Sequence, residues 1–245
     1  NKGYTYSYDM LGEAARTRQD AKRYFDDYAS AILKVGETSL KLDARTPAPS
    51  VSIKLSALHP RYEFGRRTQV LEELVGTVKQ LVELARERHV ALTIDAEEVD
   101  RLELSLEVFR AVFESDVCRG WGHFGLVVQA YSKRALPVLH YINRLADRQG
   151  DEIPLRLVKG AYWDTEIKES QKLGVGGYPV YTRKACTDVA YLACAQFLLS
   201  ENTRGRIFPQ FATHNAHTIT NILERANHAD RAFEFQRLHG MGEAL

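Results

Sequence analysis

Short apolar runs alternate with helical stripes along this chain, and that alternation restricts its fold more than any other feature. Residues 51–55 (VSIKL), 91–95 (ALTID), 125–129 (GLVVQ), 155–158 (LRLV) and 207–213 (IFPQFAT) are brief, mostly apolar and rich in β-branched residues, as buried strands are. Two weaker runs flank them: 4–8 (YTYSY) alternates aromatic and hydroxyl residues, and 233–238 (FEFQRL) alternates apolar and polar ones. Between the runs, Leu71, Leu74, Val75, Val78 and Val82, then Leu102, Leu106, Phe109 and Phe113, then Leu139, Ile142 and Leu145 recur mostly three and four apart. Val189, Leu192, Ala193 and Leu199 offer a further stripe. Such spacing lays one apolar face of a helix against a sheet, and Asp100 stands where a helix N-cap is expected. The order is strand then helix, seven times over.

Repeated βα units imply parallel strands, arranged either as a doubly wound sheet or as an eightfold barrel. No GxGxxG follows the first strand, so the dinucleotide-binding wound sheet loses its main support. The expectation is an α/β fold, a distorted (βα)8 TIM-like barrel forming a single domain over residues 1–245, a length that suits one barrel. A barrel needs eight strands and seven are found before Leu245, so the eighth βα unit is expected to be missing. A start at Asn1 rather than Met suggests a fragment. With 33 Lys and Arg against 32 Asp and Glu, the net charge of +1 offers no general attraction to polyanions, and nucleic acid is not expected as a partner. Three scattered cysteines without CxxC spacing fit a reducing, cytoplasmic compartment. No apolar run is long enough to span a bilayer.

In such barrels chemistry sits at the carboxyl ends of strands. There the chain places Lys54; Asp95, Glu97 and Glu98; Gln129; Arg156 and the run from Lys159 through Gly160, Ala161 and Tyr162 to Trp163; Thr213, His214, Asn215 and His217; and Leu238 and His239. Ordinary explanations exist for single members. Carboxylates at 95–98 favour a helix N-terminus, and Lys54 could pair with Asp95 purely for structure. Six strand ends with polar residues and apolar interiors are harder to dismiss together. No HExxH or tight ligand set signals a metal, and His214 reads as a hydrogen-bond donor to a ligand carbonyl. Strand-end lysines also permit a Schiff-base aldolase. Lys54 would face Asp95, which favours its charged form, leaving Lys159 as the nucleophile of that alternative. The glycine-rich loop at 172–179 and the cations at 183–184, opening a helix, have the parts of a phosphate site. A third reading is a non-catalytic barrel fragment.

Seven motifs then place the chain beside a known family. YTYSYDMLGEAA at 4–15, SIKLSALHPRY at 52–62, IDAEE at 94–98, RLVKGAYW at 156–163, GYPVYTRK at 177–184, FATHNAH at 211–217 and LHGMGE at 238–243 closely resemble the proline dehydrogenase domain of bacterial proline utilization A proteins. The resemblance spans essentially the whole chain. It implies a distorted barrel that binds FAD noncovalently and oxidises L-proline to Δ1-pyrroline-5-carboxylate, with a membrane quinone as electron acceptor and cyclic carboxylate analogues of proline as ligands. The full-length protein would be cytoplasmic, peripheral at the inner membrane. By matching motif, Lys54, Asp95, Tyr162 and Leu238 are proline-pocket residues, and Lys54, Asp95 and Arg156 carry the catalysis. Gln129, Arg156, Val158, Gly160, Ala161, Trp163, Thr182, Arg183, Lys184, Thr187, Thr213, His214, Asn215 and Gln236 are flavin contacts. The family also implies an eighth strand with a Tyr and a final helix with paired arginines for the proline carboxylate.

Overall fold

A computed structural model describes residues 4–10, 12–39 and 48–242. Leu11 and Glu243, which belong to the first and last quoted motifs, and the chain end at Leu245 lie outside the described residues. The elements run β1 (Ser7–Asp9), α1 (Arg18–Ser39), β2 (Ser50–Ile53), α2 (Leu55–Leu58), α3 (Arg67–Glu87), β3 (Ala91–Ile94), α4 (Leu102–Phe113), β4 (Phe124–Gln129), α5 (Ala135–Gln149), β5 (Ile153–Val158), α6 (Trp163–Lys172), α7 (Lys184–Leu198), β6 (Ile207–Ala212), α8 (Ala216–Ala229) and β7 (Glu234–Gln236). The seven expected strands form, with ends shifted by a few residues.

Helix α1, like α2, α6 and α8, has no apolar stripe named in the sequence reading. Its buried stripe is narrow, made of Ala21, Tyr28, Ile32 and Val35 within a highly charged stretch. Its start is nevertheless well specified. Thr17 N donates to Asp20 Oδ2 at 3.0 Å and Asp20 N donates to Thr17 Oγ1 at 3.0 Å, a reciprocal cap that satisfies two otherwise orphaned donors. Asp100 is not a cap. It lies in the 3-10 turn Val99–Arg101, and Arg101, at the head of α4, has φ −91° and ψ −9° rather than the extended backbone from which a side chain can cap.

The chain forms two compact units. The first holds Asn1–Ala96 and Asp100–Leu126, the second Glu97–Val99 and Val127–Leu245. In the first, parallel strands β1 to β4 pair in order, with Tyr8 beside Val51, Val51 beside Leu92 and Leu92 beside Phe124. Ile32 of α1, Leu74, Val78 and Leu81 of α3, and Val51, Ile53 and Leu92 of the strands are sealed from solvent, and Phe109 stacks on Phe113 and Phe124 with ring centroids 5.7 and 4.9 Å apart. In the second, β5, β6 and β7 pair in parallel, and past the end of β4 Ala130 N donates to Val158 O. Its core buries Leu139, Ile142, Leu145, Leu155, Leu157, Tyr191, Ile207 and Phe211.

Alternation along the second unit's strands sorts polar from apolar. Leu155 and Leu157 are buried while Arg156 is half-buried, and Phe211 is buried while Gln210 is half-buried. Register then sets Arg156 beside Gln210 and Gln210 beside Glu234, a polar row on one face of the sheet.

Candidate active site

In the first unit the strand ends carry an ion-paired lysine. Lys54 follows β2 and N-caps α2, Asp95 follows β3, and Lys54 Nζ lies 3.2 Å from Asp95 Oδ2 with both side chains about 15% exposed. A second carboxylate, Asp9 at the end of β1, approaches the same ammonium at 3.5 Å from a far wetter position. Beneath, Lys54 N donates to Tyr28 Oη at 3.1 Å. Burial pulls the Lys54 ammonium down, but Asp95 and Asp9 together outweigh it, and its pKa lies above the ordinary lysine value. Burial likewise pushes the Tyr28 phenol up to about 12. The lysine is thus a fixed cation, held against an anion that it orients. Asp9 and Tyr28 are members that sequence reasoning missed; parallel pairing of β1 with β2 is what brings Asp9 level with Ser52.

The second unit gathers most of the other expected residues. Arg156 Nε donates to Gln236 Oε1 at 2.6 Å, and Gln236 Nε2 donates to Glu234. Gln129, at the end of β4, uses both ends of its amide: Nε2 donates to Glu97 O at 2.9 Å and Oε1 accepts from Ala161 N at 3.0 Å. It therefore ties the loop after β3 to the loop after β5. Gly160 has φ +141°, and a Cβ there would lie 2.5 Å from the Tyr131 ring, so only glycine fits. Tyr162 N-caps α6, whose first residue, Trp163, is 41% exposed and donates Nε1–H to Tyr181 O. Val158 closes β5 half-buried, Thr182 precedes Arg183, the N-cap of α7, and Thr187 is buried one turn into that helix. Thr213 N donates to Gln236 O, its hydroxyl accepts from Asn215 N, and Asn215 caps α8 by accepting from Thr218 N. His214 Nε2 accepts from Leu238 N at 3.0 Å, joining two expected residues from successive loops. Leu238 itself is 64% exposed.

Lys159 and Lys184 share one carboxylate, Asp188, at 2.5 and 2.6 Å. A Schiff-base lysine must present its amine to a substrate carbonyl; Lys159 is instead engaged in this ion pair, so the aldolase alternative loses its residue. Asp188 was missed as well. Its spacing of four from Lys184 was a usable helical signal; its contact with Lys159 was not. Among the described residues no cluster of three or more His, Cys, Asp or Glu converges as metal ligands, and no helix is long and apolar enough to cross a membrane.

The family model described as proline dehydrogenase matches residues 1–245. The chain belongs to the proline dehydrogenase family. Among curated proline dehydrogenase relatives, the bifunctional protein PutA of Salmonella typhimurium is 50% identical over 246 residues, covering 100% of this chain and 18% of that protein. Proline dehydrogenase 1 of Bacillus subtilis is 28% identical over 98% of the chain and 67% of its own length. The chain therefore spans less than a fifth of the curated bifunctional relatives it matches. A crystal structure of a Bradyrhizobium japonicum proline utilization A variant superposes with a TM-score of 0.92 at 53% identity, covering 98% of this chain and 24% of that one. The Bdellovibrio bacteriovorus protein inactivated by N-propargylglycine superposes with a TM-score of 0.90 at 30% identity, covering 98% and 26%. The fold is accordingly α/β, of the TIM-like barrel class.

Proposed function

We propose that this proline dehydrogenase family member is one barrel domain, residues 1–245, that binds FAD noncovalently and oxidises L-proline to Δ1-pyrroline-5-carboxylate, the first step of proline catabolism, with a quinone as final electron acceptor. The observation that carries the reading is the match of the family across the whole chain. The donor set of the second unit fits the cofactor: Arg156, Arg183 and Lys184 supply cations, His214 a ring N–H donor, the 15-residue α7 a helix N-terminus, and Trp163 an accessible ring. These suit a dinucleotide that is anionic at its phosphates and aromatic at its rings.

FAD, when bound, supplies the acceptor for the hydride that leaves the substrate carbon next to nitrogen. The chain's own residues do the rest. Asp95, paired with and oriented by Lys54, faces the positive charge that develops at the substrate nitrogen, and the aliphatic stem of Lys54 contacts proline; Tyr162 and Leu238 are the second unit's proline contacts. Arg156, aimed by Gln236, provides a cation for the opposite charge. Cyclic carboxylate analogues of proline compete for the same pocket. The full-length protein is placed in the cytoplasm, peripheral at the inner membrane.

Purified full chain should show a flavin absorption spectrum that bleaches when L-proline is added without oxygen, and acid should release the flavin as FAD. N-propargylglycine should abolish activity progressively. A colourless protein, or a flavin spectrum indifferent to proline, overturns the reading.

A further inference from the structure

The ring of His214 spans two loops, and the bond by which it does so also decides which of its nitrogens remains for a ligand. Leu238 N lies 3.0 Å from His214 Nε2. A backbone N–H has only a hydrogen to give, so Nε2 is the acceptor, and a neutral ring then carries its hydrogen on Nδ1. The backbone around the histidine is anchored on both sides: Thr213 N donates to Gln236 O at 3.2 Å, and Asn215 Oδ1 accepts from Thr218 N and Oγ1 at 2.9 and 3.0 Å. Leu238 is differently placed. It follows the three-residue β7, its side chain is 64% exposed, and its carbonyl accepts from Met241 N in a tight turn. The histidine is a fixed post, and the segment carrying Leu238 leans on it.

We infer that His214 is a positioning residue for the substrate pocket: Nε2 holds the main chain of Leu238 in place, and Nδ1–H is thereby the edge that donates to the cofactor. This rests on the proposed proline dehydrogenase reading, in which Leu238 lines the proline site. One side chain then serves two ligands through two separable atoms.

The two atoms are tested separately in the full chain. His214→Gln keeps an acceptor near the Nε2 position and should leave KM for proline within about twofold while weakening FAD binding about tenfold or more; His214→Asn keeps a donor near Nδ1 and should raise KM about tenfold with FAD affinity within about threefold. Melting curves confirm that each variant is folded. Nitrogen-15 spectra of histidine-labelled unaltered chain, with His214 assigned by its loss in the variants, should show the Nδ1–H tautomer and need no variant to be active. An Nε2–H tautomer, or KM and FAD affinity moving together in both variants, overturns the inference alone. An unaltered chain that neither holds FAD nor oxidises proline overturns the functional reading, and the Leu238 role with it.

Discussion

Asp95 and Lys54 show how a single pair acquires a role. Both side chains are largely withdrawn from water, yet Lys54 keeps a second anion in Asp9 at 3.5 Å. Removing the charge in Asp95→Asn therefore does not strand the ammonium, and the stability loss should stay near 1–2 kcal/mol rather than the ~3–5 kcal/mol of a wholly buried broken pair. Turnover should fall at least about 100-fold, because the anion facing the developing cation is gone. Anaerobic flavin reduction together with a melting curve checks both halves, and a large drop in melting temperature with normal reduction would assign the pair to structure. Gly160 is the other sensitive position. At φ +141° with Tyr131 ring carbons 2.5 Å from where a Cβ would stand, Gly160→Ala combines backbone strain with overlap, so a loss of about 2–4 kcal/mol is expected in chemical denaturation.

Among the elements, the loop at 97–99 is held by side chains from three directions. Gln129 donates to Glu97 O, Arg134 Nη2 donates to Val99 O at 3.0 Å, and the buried Glu166 carboxylate of α6 accepts from Val99 N at 2.7 Å. Val99, Tyr131 and Val180 close over this lacing as a small apolar cluster, with Ile167 packed against it. Glu166→Ala should leave the Val99 amide without its acceptor and cost about 1–3 kcal/mol, whereas Glu166→Gln, which keeps an acceptor, should cost less than half of that. Urea denaturation of the two variants side by side measures the difference; equal losses would mean that the carboxylate matters for its charge alone. The same loop explains why the expected cap at Asp100 does not form: the backbone of 97–99 is held by Gln129, Arg134 and Glu166 within its own unit, and Asp100 follows it in a 3-10 turn. Helix α1 escaped notice for a different reason. Its buried face uses Ala21 and Tyr28 where a longer aliphatic stripe would have declared it.

At the scale of the whole molecule, alkaline pH should be the weak flank. Among the buried tyrosines, Tyr28, Tyr131 and Tyr191 have phenols pushed up by burial, Tyr28 to about 12. Lys54 is raised as well. A group whose folded pKa is raised contributes stability in full below its unfolded value and loses it as pH climbs through the folded value, so stability should decline above about pH 10. For Tyr28 alone the two-unit rise corresponds to ~3 kcal/mol. Phenolate absorbance followed against pH should show at least three tyrosines that ionise only together with unfolding, and Tyr28→Phe should soften the decline. The sequence by itself determined the order of the seven strands and of those helices whose apolar stripes are plain, because apolar periodicity is a local property, and it determined which residues stand at strand ends, because parallel βα units open their loops there. Only the tertiary structure decided the partners: Lys54 meets Asp95 across 41 residues and Arg156 meets Gln236 across 80. Such contacts follow from strand register and side-chain reach, which no local pattern records. For the same reason no local pattern could record that His214 Nε2 accepts from a backbone N–H 24 residues away.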